Sequence, residues 1–267
     1  MNLLVVDWDF FFPIVERPHQ QTYPGEMWLY DWGHSEGSAF MLEGIWPIRA
    51  SSFYQRAIPL PTIDTAAWKA FVQQVKVRKG TTLYYADSNV YALSMLQELT
   101  GGRTIRRLRK PGRIVLIDAH HDCGYKGKQA FYRSAEYGTF QFTCEDWLVG
   151  YVLSGFTAHM RYPAWRAHAL EKDGEPQPIV TLDRGIYSPE EPMPIFDAVF
   201  VCRSGAWVAP WCDTEFQQFL AAFPVSARKR VGPCKMRLYD DVQVKALASQ
   251  ELAIRVNAMS KKRGKQS

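Results

Sequence analysis

Short apolar runs recur along the chain, and polar residues follow each run at once. Continuous apolar segments of this length are typical of strands buried on both faces of a parallel sheet. The runs lie at residues 3–6, 82–86, 114–117, 179–182 and 198–201. Amphipathic stretches typical of helices lie at about residues 64–77, 89–99, 163–172, 213–223 and 245–259, and one more opens at 143 or 144. This alternation predicts an α/β fold, a three-layer α/β/α sandwich with a mainly parallel central sheet.

The polar residues that follow the strand at 114–117 point to a metal site. Asp118, His120 and Asp122 occupy alternate positions, so an extended backbone would direct their side chains to one side. They would lie at the carboxyl edge of the sheet, where open α/β folds bind ligands. A lone Asp or His at such a place is more often a turn cap or a satisfied loop residue. Two carboxylates and an imidazole together favour a divalent cation.

A second pair of carboxylates stands at the start of the chain. Asp7 and Asp9 also occupy alternate positions, directly after the apolar run at 3–6. We expect the strands that end at Asp7 and Asp118 to be close neighbours. Both pairs would then contribute ligands to one shared site.

The segment Asp118-Ala119-His120-His121-Asp122 resembles the Asp-Ala-His-x-Asp metal signature of the ureohydrolase superfamily, the arginases and agmatinases. Their fold is shared with metal-dependent deacetylases. The resemblance implies an arginase-like fold and one or two metal ions, with manganese expected and zinc or iron as alternatives. Asp7-Trp8-Asp9-Phe10-Phe11 is similar to a form seen in relatives that include peptide arginases. In ureohydrolases that pair follows the Asp-Ala-His signature. Here it precedes it, so either the fold is permuted or this half of the resemblance is accidental.

The arginase pattern also has a histidine near the end of the strand at 82–86, and this chain has none there. Asp87 or Asn89 could replace it through oxygen, which suits manganese or magnesium, and Asp87 is the candidate ligand. The alternative is that Asp87 or Ser88 caps the helix that begins near Asn89.

Further candidates lie in loops and at strand ends. His121 or His34 would be the proton shuttle, since an imidazole with a pKa of about 7 can both donate and accept. The candidate substrate contacts are Glu36, Glu145, Asp146, Arg203 and Ser204. Acidic residues at the start of a helix also complement its dipole, so Glu145 and Asp146 have a purely structural alternative.

Together with the resemblance, these features predict a hydrolase in which a metal-activated hydroxide attacks the guanidino carbon of arginine and releases urea. The carboxylates favour a cationic substrate, and the open loops at 23–46 and 124–143 leave room for arginine within a peptide. Three alternatives stay open: an amidohydrolase or deacetylase on the same fold, a haloacid-dehalogenase-like phosphatase that uses Asp7 as its nucleophile, and a non-catalytic module with an arginase fold.

The composition of the chain predicts its cellular compartment and argues against some classes of partner. The net charge of +5 comes largely from Lys261, Lys262, Arg263 and Lys265, so we expect a basic disordered tail at 261–267 behind a single domain at 1–260, with no nucleic-acid face. The five cysteines lack Cys-x-x-Cys spacing and favour a reducing interior. No run of eighteen apolar residues occurs, so a cytoplasmic protein that does not enter membranes is expected. The oligomeric state is left open.

Overall fold

A seven-stranded, wholly parallel sheet forms the centre of the computed structural model, which describes residues 1–13, 38–55, 59–101, 112–126, 132–133, 140–167 and 174–250. Its strands are β1 (Asn2–Asp7), β3 (Thr82–Ala86), β4 (Arg113–Ile117), β7 (Thr157–Tyr162), β8 (Leu182–Ile186), β10 (Ala198–Cys202) and β11 (Ala227–Arg230). Across the sheet the order is β11-β3-β10-β1-β4-β7-β8. Two short pairs accompany it: β2 (Lys76–Val77) with β9 (Ile195–Phe196), and β5 (Tyr132–Arg133) with β6 (Phe140–Gln141).

Helices cover both faces of this sheet. They are α1 (Ile45–Gln55), α2 (Thr65–Gln74), α3 (Ala92–Thr100), α4 (Trp147–Leu153) and α5 (Asp213–Ala222), and residues 241–250 are also helical. Short 3-10 turns lie at Trp8–Phe11, Asn89–Tyr91, Ala164–Arg166 and Pro210–Cys212, and a π-helical turn spans Phe40–Gly44. None of the described helices is long and apolar enough to cross a membrane.

Alternate residues of β1 show how the layers are held together. Leu4 and Val6 belong to a core shared with α2 and α5, whereas Leu3 and Val5 belong to a second core shared with α3 and α4. Because successive side chains of a strand point to opposite faces, an apolar run such as 3–6 is stable only where both faces are covered. The predicted α/β class, with a parallel central sheet between two layers of helices, is confirmed.

Several predicted boundaries differ from those observed. The run at 179–182 begins in a turn that is closed by a hydrogen bond from Val180 N to the carbonyl of Gln177, and β8 begins only at Leu182. β7 and β11 were not predicted, because β7 carries polar residues on one face and all four residues of β11 are exposed. β11 is an edge strand and tolerates such a sequence because one side of its backbone has no partner strand. β7 lies between β4 and β8, and the residues that it buries are confined to one of its faces. The described part of the segment at 163–172 is a 3-10 turn rather than a longer helix.

The chain leaves β1 and β4 in opposite directions. From β1 it proceeds to β3 on one side, and from β4 it proceeds to β7 on the other side. Such a point opens a crevice at the carboxyl ends of the two strands, which is where open α/β sheets bind ligands. The register pairs Val6 with Ile117, so Asp7 and Asp118 leave the sheet at the same level.

Candidate metal centre

Two tight turns gather the acidic residues at the crevice between β1 and β4. After β1 the backbone N–H of Asp9 donates to Asp7 Oδ1 over 3.0 Å, and the chain enters the 3-10 turn that starts at Trp8. After β4 the N–H of His120 donates to Asp118 Oδ1 over 2.9 Å. Each aspartate thus satisfies the backbone of the turn that follows it, as Asx turns do. The strand and the turn together fix where each carboxylate lies.

The first group of candidate ligand atoms, which we call the imidazole position, comes from Asp9, Asp118 and His120. One donor atom from each lies within 4.8 Å of the others. His120 Nδ1 is 3.3 Å from Asp9 Oδ2 and 3.7 Å from Asp118 Oδ1. Within the described residues, Asp9 Oδ2 is buried and makes no hydrogen bond. Two carboxylates, an imidazole and an unsatisfied buried oxygen are a donor set that fits a divalent cation.

The second group, which we call the amide position, surrounds the side chain of Asn89. Its Nδ2 lies 2.8 Å from Asp7 Oδ2, 3.0 Å from Asp118 Oδ2 and 2.9 Å from Asp122 Oδ2. Asp118 belongs to both positions, with Oδ1 on the imidazole side and Oδ2 on the amide side. The two positions are therefore adjacent and share one carboxylate.

Asp122 reaches the amide position through an uncommon backbone conformation. Its φ is 48°, in the left-handed region that non-glycine residues seldom adopt. The indole of Trp147, at the start of α4, donates to Asp122 Oδ2 over 2.6 Å, and Leu148 N donates to the carbonyl of Asp122 over 3.1 Å. The packed helix α4 thus holds this residue in place. Strain maintained by surrounding contacts is common at functional sites.

The cluster is costly to ionise without a cation. Burial, followed by the charges of Asp9 and Asp118, raises the pKa of Asp7 well above its usual value. Burial and the charge of Asp9 raise the pKa of Asp118 to about 7. Burial and the charge of Arg166 act to lower the pKa of His120, but the adjoining carboxylates of Asp118 and Asp9 outweigh them and raise it. A bound cation would relieve this repulsion directly.

Asp87, proposed as a metal ligand from the sequence, lies at the end of β3 but faces a different partner. Arg203, at the end of β10, donates from Nε to Asp87 Oδ1 over 2.8 Å and from Nη2 to Asp87 Oδ2 over 2.7 Å. Arg203 also donates to Asp213 over 2.8 Å, and Arg237 bonds the same Asp213 carboxylate. Of the residues after β3, Asn89 rather than Asp87 contacts the acidic cluster.

The other residues predicted from the sequence make contacts that are unrelated to the two candidate metal positions, or lie outside the described residues. Arg203 is buried in that ion-pair network, and Ser204 follows it with a φ of 55°. His121 is fully buried, and its Nδ1 accepts a hydrogen bond from Cys123 N over 3.1 Å, so a neutral ring carries its proton on Nε2. Asp146 Oδ1 accepts from Thr143 N over 2.6 Å, and Glu145 is half-buried. His34 and Glu36 lie outside the described residues.

Three contributors were not predicted as site residues: Trp147, which bonds Asp122; Trp207, whose ring centroid lies 5.2 Å from that of His120; and buried Arg166. Trp207 follows the end of β10, a position where ligand-contacting residues are common. Nothing in the local sequence marks the other two.

Comparisons with protein-family models, curated proteins and solved structures find no match to this chain.

The first prediction concerns Arg203. Replacing Arg203 with Met would leave Asp87 buried without its cation while Asp213 keeps Arg237, and we expect the free energy of unfolding to fall by about 3–5 kcal/mol. Arg78→Met is the matched control, because Arg78 pairs with Asp197 at the surface and its loss should cost at most about 1 kcal/mol. Chemical denaturation measures both. Unchanged stability of Arg203→Met would instead favour a role in substrate binding.

The second prediction concerns the ion-free protein and pH. A carboxyl whose pKa is about 7 when folded and 3.8 when unfolded favours folding at low pH, and this contribution is lost as pH rises from about 4 to 7. Asp118→Asn removes it. The free energy of unfolding of this variant, measured with chelator, should therefore rise relative to wild type across that range. The exposed Glu190→Gln should show no such relative rise. A constant difference between Asp118→Asn and wild type across this range would contradict the effect of burial on the pKa of Asp118.

Proposed function

We propose that this protein is a metal-dependent hydrolase of the arginase-like class that releases urea from a guanidino group. The observation that carries the proposal is the convergence of Asp9, Asp118 and His120, with Asp7 and Asp122 beside them. The same residues carry the resemblance to the ureohydrolases. A divalent ion bound there supplies a Lewis acid and a water of lowered pKa.

The side chains of the centre have separable roles in this proposal. Asp9 and His120 would hold the ion at the imidazole position, and Asp118 links the imidazole and amide positions. The turn hydrogen bonds of Asp7 and Asp118 keep their carboxylates oriented before any ligand binds. Preorganised groups of this kind lower a barrier because they need not rearrange during the reaction. His121, which lies between His120 and Asp122 in the sequence, is the candidate proton shuttle, and His34 is the alternative.

Charge favours a cationic substrate. Four carboxylates, those of Asp7, Asp9, Asp118 and Asp122, lie within one buried cluster. With one divalent ion bound, the four ionised carboxylates would outweigh the combined charge of that ion and of buried Arg166, so the cluster would stay negative. A guanidinium is planar, permanently charged and matched to carboxylate pairs. Arginine in a peptide is the preferred form, with free arginine or agmatine as further candidates.

The phosphatase alternative would use Asp7 as a nucleophile. Both of its oxygens are already engaged, Oδ1 by the backbone of Asp9 and Oδ2 by Asn89. That alternative also assigns no function to Asp118 and His120, although His120 lies close to both Asp9 and Asp118. The contacts therefore support the metal-dependent hydrolase more strongly. A deacetylase would keep the same metal ligands and differs only in the carbon that is attacked.

The third prediction tests the reaction. Incubation with Mn²⁺ and an arginine-containing peptide should produce urea and an ornithine-containing product, detected by colorimetric assay and mass spectrometry. Asp118→Asn should reduce the rate by at least about 10²-fold, because it removes a charged ligand shared by both positions. Asp183→Asn, an exposed carboxylate on β8, is the matched control and should keep the wild-type rate.

Parallel substrates separate the alternatives. Acetyl-lysine and acetyl-polyamine analogues report a deacetylase, and an aryl phosphate with Mg²⁺ reports a phosphatase. Cleavage of an acetyl analogue without urea from any guanidino compound would replace the arginase-like proposal. Absence of turnover on every substrate, in protein that binds metal, would favour the non-catalytic module.

A further inference from the structure

The side chain of Asn89 lies where a second cation would be expected to bind. Its Nδ2 is within 3.0 Å of oxygens from Asp7, Asp118 and Asp122. A primary amide has only two hydrogens, so three carboxylate oxygens exceed what it can satisfy. The three oxygens converge on one point, as they do around a positive charge. In the structure, a neutral NH₂ group lies at that point.

The other end of the same amide is unsatisfied. Within the described residues, Asn89 Oδ1 is buried and has no hydrogen-bond partner, and the whole residue is only 4% exposed. Oxygen and nitrogen of an amide differ little in size, so half a turn about the terminal torsion exchanges them. With a cation at the amide position, that turn would place Oδ1 beside the three carboxylate oxygens. An all-oxygen set of ligands suits manganese or magnesium.

We infer that Asn89 makes the two metal positions unequal: the imidazole position binds one divalent ion tightly, whereas the amide of Asn89 occupies the amide position and admits a second ion only weakly. The inference rests on the proposed function and specifies its metal requirement. In the ion-free state the NH₂ group of Asn89 neutralises part of the carboxylate charge. A second ion must displace these hydrogen bonds and turn the amide, and its neutral carbonyl oxygen is a weaker ligand than a carboxylate or an imidazole.

The inference predicts which residue controls which ion. His120→Asn should remove the tight ion, because it deletes the nitrogen ligand of the imidazole position. Asp122→Asn should weaken the second ion alone, because Asp122 contacts the amide position through Asn89. Asn89→Asp adds a fourth carboxylate and should tighten the second ion by about tenfold or more, since cation affinity rises with ligand charge. Asn89→His provides an imidazole instead and should act in the same direction.

The fourth prediction is tested by titrating chelator-treated protein with Mn²⁺, using calorimetry and electron paramagnetic resonance, which need no substrate. The wild type should bind one equivalent tightly, with the spectrum of an isolated ion, and a second at least about tenfold more weakly. Asn89→Asp or Asn89→His should bind two equivalents and show an exchange-coupled pair. Asp183→Asn is the control and should match the wild type. Circular dichroism verifies that each variant is folded.

Two results would overturn the inference while leaving the proposed function intact. One is two ions of equal affinity in the wild type. The other is a folded Asn89 variant, either Asp or His, whose second ion binds no more tightly than that of the wild type. Absence of any bound Mn²⁺ in the wild type at millimolar concentration would instead overturn the proposed function together with the inference.

Discussion

Electrostatic repulsion among buried carboxylates is the constraint on which the rest of this site depends. Asp7, Asp9, Asp118 and Asp122 are each less than a tenth exposed and lie together at one edge of the sheet. Buried like charges are unfavourable unless a cation or hydrogen-bond donors compensate them. The donors to these carboxylates include three backbone N–H groups, the amide of Asn89 and the indole of Trp147. These donors compensate only part of the negative charge of the four carboxylates. Within the described residues, Asp9 Oδ2 has no hydrogen bond.

Sheet topology places these groups together although they are far apart in sequence. β1 and β4 are neighbours in register, and Asp7 and Asp118 leave them at the same level. The order of the two acidic motifs along the chain therefore has no effect on their convergence. Asn89 joins them from the turn after β3, and α4 fixes Asp122 from the opposite side. Four chain segments thus meet at one crevice, whose position follows from the reversal of strand order between β1 and β4.

The principal strands and the members of the acidic cluster could be predicted from sequence because their patterns are local. An apolar run followed by alternating acidic residues predicts a buried strand and an acidic cluster at the carboxyl end of that strand, as at Asp7 and Asp118. Asp87 and Asn89 could not be ranked in this way, since both follow the same strand by a few residues. Only the tertiary structure shows that Arg203 pairs with Asp87 while Asn89 contacts the cluster. β11 was missed because all of its residues are exposed, so no apolar pattern marks it.

X-ray diffraction from crystals grown with Mn²⁺, recorded at an energy where manganese scatters anomalously, is the most direct test of metal binding by the acidic cluster. An anomalous difference map locates the ion without reference to activity or to the identity of the substrate. The predicted result is a peak about 2.0–2.3 Å from ligand atoms of Asp9, Asp118 and His120. Saturating Mn²⁺ with no peak between these three side chains would contradict the central claim that this acidic cluster is a metal centre.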